Sequence, residues 1–172
     1  MDILENADAW AKTFRGGWLA HLQKTGSPSW EIYERPKNQN AVPGAAVDLK
    51  ANRLVLVSSA GGYLVDSQEP FDAGNPLGDY TVRTFSASTP YEKLAYAHEH
   101  YDHAAINADP QVLMPLKHLR QMVSEGSIGE LAPVISIMGY QPDVSRLLDE
   151  TIPAILKIVR EENARAALLV PA

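Results

Sequence analysis

Large apolar residues recur every fourth position near the start of the chain: Trp10, Phe14, Trp18 and Leu22. Side chains three or four apart share one side of a helix. The spacing therefore predicts a helix over 6–24, stopped by Gly26 and Pro28. Its stripe is expected to pack on a core, with docking to a partner as the alternative. Gly16 and Gly17 weaken that helix and leave room for close packing. Residues 25–50, rich in Pro, Gly, Asn and Lys, break the period and read as an irregular connector. Beyond them "RLVLVSS" (53–59) is a continuous apolar run closed by "AGG". Such a run suits a strand covered on both faces, as in a parallel sheet.

Helices and strands then alternate. "SQEPFDAGNPLGD" (67–79) reads as loop. "YTVRTF" (80–85) alternates like a strand with Tyr80, Val82 and Thr84 on one side. A helix runs from Pro115 to Gly126 with Leu116, Leu119, Met122 and Val123 as its apolar face. "APVISIMG" (132–139) is a second buried strand. "PDVSRLLDETIPAILKIVREEN" is helical, but Pro153 is expected to break or kink it, with Thr151 capping a second helix. "AALLV" (166–170) reads as a last buried strand. No internal repeat or low-complexity segment appears. This order predicts one α/β domain (51–172) with a mostly parallel sheet flanked by helices, a Rossmann-like three-layer arrangement. Residues 1–50, the N-terminal helix and connector, pack on it. In such sheets sites form beyond the carboxyl ends of strands. That points to 58–63, 138–143 and whatever follows Val170.

Composition narrows the function. The 172 residues carry a net charge of −6, and nucleic-acid recognition needs a basic face. No apolar run approaches the ~20 residues of a membrane span. The acidic start "MDILENADAW" lacks the pattern of a signal peptide, so the expected location is cytoplasmic. Cysteine is absent, which removes disulfides, Cys nucleophiles, Cys-ligated zinc and iron–sulfur clusters from these residues.

Three of the five histidines fall in "HEHYDH" (98–103). Imidazoles and carboxylates so closely spaced can surround a cation. His98, His100 and His103 are thus candidate ligands of a divalent metal ion, and His98, His100, Asp102 and His103 are candidate catalytic groups. The letters match the H-x-H-x-D-H string of metallo-β-lactamase-like hydrolases, but the further ligands of that fold are missing: only His118 follows, in a predicted helix. An extended segment would place His98, His100 and Asp102 on one side. A helix would pair His98 with Asp102 and His100 with His103. A turn converges all four most readily. "SSAGG" (58–62) is either an anion cradle or a tight turn. Glu69 and Asp72 in "SQEPFD" are either an acid/base pair or solvated loop carboxylates.

Taken together, "LVLVSSAGGYLVDSQEPFD", "HEHYDHAAINADPQVLMPLKHLRQMVSEGSIGELAPVISIMGY" and "AALLVPA" resemble the component B family of glycine/sarcosine/betaine reductase and D-proline reductase. The resemblance runs from about residue 50 to the end. It implies reductive cleavage of a carbon–nitrogen bond next to a carboxylate, with a selenocysteine or cysteine cluster just after the strand matching "AALLV". Here the residues end at Ala172 without a cysteine, so no family redox residue can be carried onto any position. The surrounding pocket does carry over, with Ser58, Ser59, Glu69, Asp72, Tyr101 and Tyr140 as candidate substrate-binding residues for a small carboxylate or amine.

Three readings follow. The chain acts as a subunit whose thiols come from another chain. Or it is a non-redox hydrolase or lyase that uses "HEHYDH" with a metal or by acid/base chemistry. Or it is a non-catalytic binding or assembly subunit. Each expects association, with itself or with a thiol-bearing subunit, because an apolar strand at the sheet's active edge leaves that edge open.

Overall fold

The computed structural model describes residues 4–39 and 44–172. Its N-terminal helical segment runs from α1 (Ala7–Phe14) through a π-helical turn (Arg15–Leu19) into α2 (Ala20–Thr25). It stops at Gly26, whose left-handed φ of 74° lets its N–H reach Leu22 O, a conformation glycine adopts without a Cβ penalty. A side chain at Gly16 or Gly17 would meet nothing within 4 Å. These glycines lie in the widened turn rather than at a close contact, which corrects the packing role expected of them. Trp10, Phe14 and Trp18 are 6%, 4% and 1% exposed and pack with Val144 and Leu148. The stripe is core. Hydrogen bonds from Trp10 Nε1 to Glu34 O (2.8 Å) and from Tyr33 Oη to Pro142 O (2.9 Å) tie the connector to it.

The hub of the sheet is β1 (Arg53–Ser58). A ribbon of β2 (Gly62–Leu64) and β4 (Leu94–Tyr96) follows it as a separate antiparallel pair, while β3 (Arg83–Phe85) joins the main sheet. β1 pairs in parallel with β5 (Glu130–Leu131) and β6 (Val134–Ser136) along one edge, and with all of β7 (Ala166–Val170) along the other. β3 lies outside β6, antiparallel to it. The sheet is thus mixed and mostly parallel. Alternate residues of β1 face opposite ways. Leu54 and Leu56 meet Leu116 and Leu119 of α4 (Leu116–Ser124). Val55 and Val57 meet Ile155, Ile158 and Val159 of α6 (Ile152–Glu161). Helix, sheet, helix: one α/β domain in three layers, as the alternation of elements implied. No helix among the described residues is long and apolar enough to cross a membrane.

Several expectations are corrected. The strand expected over 80–85 shrinks to Arg83–Phe85, because Tyr80 turns inward and its Oη accepts the Asp143 N–H at 2.7 Å. Met122, assigned to the apolar face of α4, is 38% exposed. Pro153 does not break its helix: the short α5 (Val144–Arg146) and a π-helical turn (Leu147–Thr151) lead into α6, and Pro153 falls in that helix's first turn, directly after the widened turn. Thr151 caps nothing. Its buried Oγ1 donates instead to Tyr80 O at 2.8 Å. β7 is not a buried strand either. Its outer edge is unpaired among the described residues, and Leu168 and Leu169 are 37% and 69% exposed.

Candidate functional site

Three loops leave the carboxyl ends of β1, β6 and β7 and meet there. Ser59 N donates to Val170 O (3.1 Å), Gly61 N to Ile137 O (2.9 Å) and Ala172 N to Ser59 Oγ (2.8 Å). Ala60 pairs with Met138 across an isolated bridge. These bonds decide the role of "SSAGG". The N–H groups of Ser59 and Gly61 serve backbone carbonyls, and Ala60 N leans on Ser58 Oγ (3.3 Å). The segment crosses from β1 to β2 without a regular turn, and the Ser59 and Gly61 donors are already committed. Ser58 is fully buried and donates to Leu113 O at 2.8 Å.

The histidine segment is bound onto this junction. Ala97 N donates to Gly61 O (2.9 Å), and a Cβ at Gly61 (φ 69°) would stand 2.3 Å from Ala97 O. Only glycine lets the two backbones approach so closely. Past that contact residues 98–103 form a series of bends, neither strand nor helix. Tyr101 Oη donates to Ala60 O (3.0 Å). His100 lies flat on Tyr140, with ring centroids 3.8 Å apart and planes 2° from parallel. His103 Nε2 bonds His98 O, and its ring stacks on Tyr101 at 4.5 Å. Asp102 Oδ1 accepts Ala104 N at 2.9 Å, opening the short α3 (Ala104–Ala108) with a side-chain turn.

His98 differs from its neighbours. It is 5% exposed, and its Nδ1 accepts the His100 N–H at 3.1 Å. The proton of the neutral ring therefore sits on Nε2, which is buried and has no hydrogen-bond partner among the described residues. Burial, followed by the neighbouring His100 and His103, pushes its pKa down to about 4. At neutral pH His98 is thus an uncharged donor, not a base. Its Nε2 faces Gly139: a Cβ there would stand 3.1 Å from His98 Nε2 and 3.1 Å from Ser59 Oγ. Burial also raises the phenols of Tyr101, to about 12, and of Tyr140, so both remain protonated donors.

The candidate residues divide. Ser59, Tyr101 and Tyr140 join the histidine segment at the carboxyl end of the sheet. Ser58 lies beneath it. Glu69 and Asp72 stay apart in an exposed loop: Glu69 offers its carbonyl to Arg83 Nε (3.1 Å), and Asp72 Oδ2 accepts Asn75 Nδ2 (3.1 Å). Among the described residues no three His, Asp or Glu side chains are grouped so as to hold a metal ion. The imidazoles face Gly139, Tyr140 and the His98 carbonyl respectively, an arrangement that does not fit a shared cation. Sequence reasoning missed Gly61 and Gly139 as contact points. The glycines following two apolar runs were the available signal.

Residues 24–164 match the family described as glycine/sarcosine/betaine reductase selenoprotein B. The chain is also 30% identical over 123 residues to the D-proline reductase subunit gamma of Acetoanaerobium sticklandii, a match covering 71% of the chain and 49% of the relative. The chain thus spans about half the length of the curated relative it matches. No solved structure matches it.

Proposed function

The chain belongs to the glycine/sarcosine/betaine reductase selenoprotein B family, and from that premise we propose that it is the substrate-handling part of a component-B-type reductase. Its substrate is a small amino or carboxylic acid of the kind named for its relatives. The observation that carries this reading is the fastening of residues 98–103 onto the carboxyl end of the sheet, through Gly61, Ala60 and Tyr140. His100, exposed and with no hydrogen bond to its ring among the described residues, is the group that meets the substrate. Tyr140 holds it in place. Ser59 and the neutral Nε2–H of His98 supply donors at Gly139, while Asp102 and His103 keep the turn in shape.

Reductive cleavage of this kind runs through a thiolate or selenolate nucleophile, and these 172 residues contain no cysteine. In this reading the thiol comes from outside these 172 residues, on a partner subunit. The relative's name makes it one subunit of an assembly, and the outer edge of β7, unpaired among the described residues and beside Ser59, is where a thiol-bearing subunit would dock.

The test changes His98, His100 and His103 singly to Ala and Asp102 to Asn. Binding of glycine, sarcosine, betaine and D-proline is then set against thermal stability. His100→Ala is expected to weaken binding at least tenfold with an unchanged melting point. Unchanged binding in all four variants would remove the site. A dithiol-dependent turnover of any of these acids by this chain alone would remove the need for a partner's thiol.

A further inference from the structure

The opposite end of the sheet holds a second opening. β5 and β6 are separated by Ala132 and Pro133, and proline offers no N–H to a ladder. Among the described residues β3 pairs only with β6. Beyond Phe85 the chain turns away, held by Ser88 N to Ser86 Oγ (3.1 Å) and Thr89 N to Ser86 O (3.0 Å). The span that would lie beside β5 is left open as a cavity of about 620 Å³. That is within the range of small-molecule sites.

Its lining is divided by chemistry. Phe85, Val123, Leu131 and Pro133 give it an apolar body. Two guanidiniums border it, and they are not equivalent. Arg53 is matched by two carboxylates, Glu130 at 2.8 Å and Glu162 at 3.0 Å. Arg120 pairs with none among the described residues. One of its N–H groups is fixed by Ala87 O at 2.8 Å, which steadies the planar fork while leaving its other donors without an acceptor among the described residues. Of the charged residues that line the cavity, Arg53 and Glu162 offset each other and Arg120 is the cation left beside an apolar body. A guanidinium prefers a carboxylate, which it can meet with two parallel hydrogen bonds.

We propose that this cavity binds a small amphipathic monocarboxylate, its apolar chain lying along Phe85, Val123 and Leu131 and its carboxylate on Arg120. The site is distinct from the histidine segment, since Arg53 and Glu130 mark the amino ends of β1 and β5.

Calorimetric titration of the full chain with octanoate, octanamide and octylamine tests the assignment. Octanoate should bind at one site, with octanamide at least tenfold weaker and octylamine undetected. Arg120→Met should weaken octanoate at least tenfold while leaving octanamide unaffected. Arg120 is exposed, so this variant is expected to unfold at the parent temperature. Val123→Trp, which fills the body, should abolish binding of both. Absence of octanoate binding, equal affinity for octanoate and octylamine, or undiminished octanoate binding by Arg120→Met would each overturn the proposal.

Discussion

The first helices and the last helix–strand pair present similar apolar faces and meet different surroundings. Along α1 and α2, Trp10, Phe14, Trp18 and Leu22 are all buried. α6 is strongly amphipathic, yet none of its residues is fully buried, and Leu156 is 42% exposed. Beside it β7 shows Leu169 at 69% exposure and an edge unpaired among the described residues, with no charge, proline or bulge along "AALLV". Native edges are usually blunted by such features. The contrast teaches that a periodic apolar stripe demands cover without saying what supplies it. The N-terminal stripe is covered by Val144 and Leu148 of this chain. The C-terminal face is covered on one side only, where Ile155, Ile158 and Val159 touch the sheet.

Truncating the covered stripe should have the largest effect. Trp18→Ala is expected to cost roughly 3–5 kcal/mol of stability, measured by denaturant unfolding. A loss below about 1 kcal/mol would mean the stripe is not core and would erase the contrast. Thr151→Val comes next. Its hydroxyl, fully buried and bonded to Tyr80 O, anchors the start of α6 from below. Removing it leaves that carbonyl without its donor and should cost about 1–3 kcal/mol. No change would show that α6 is held by its face after all.

The junction between these regions should also respond to acid. His98 titrates near 6.5 in the unfolded chain but only near 4 when folded. Between those values the unfolded state binds the extra proton, so stability is full above about pH 6.5 and falls as the pH drops towards 4. Replacing His98 with Asn should flatten that slope. An identical slope would mean the ring is not held neutral. The smallest effect on folding is expected at the open face. Leu169→Lys should shift the stability of the isolated chain by no more than about 0.5 kcal/mol, yet abolish association with the proposed thiol-bearing subunit in sedimentation. A large destabilisation would show that Leu169 already packs within this chain.

The strand–helix order was legible because each element carries its own period: four-residue spacing in α1 and α2, continuous apolar runs in β1 and β6. The short β2 and β4 were not, since "GYL" and "LAY" are too brief to show alternation and are defined by pairing with each other. Pro153 misled because a π-helical turn, invisible in a pattern of apolar positions, lets it enter in a first turn. Thr151 misled for a similar reason: a hydroxyl before a helix reads as a cap unless one knows that Tyr80 O lies beneath it. At the site, the clustering of "HEHYDH" was plain in the sequence, and a turn was the expected way to gather it. The separate partners of its three imidazoles were not, because they depend on Gly139, Tyr140 and a main-chain carbonyl brought in by the fold. Glu69 and Asp72 share a segment with Phe71, which is buried, but they point outward.

The central claim is that the carboxyl end of the sheet handles a small amino or carboxylic acid. Its most direct test is a nitrogen-15 chemical-shift titration of the isolated chain with glycine, sarcosine, betaine and D-proline. The account expects at least one of these acids to produce saturable shifts concentrated at Ser59, Gly61, His98, His100, Gly139 and Tyr140. Shifts confined to residues far from that junction, or none with any of the four acids, would contradict it.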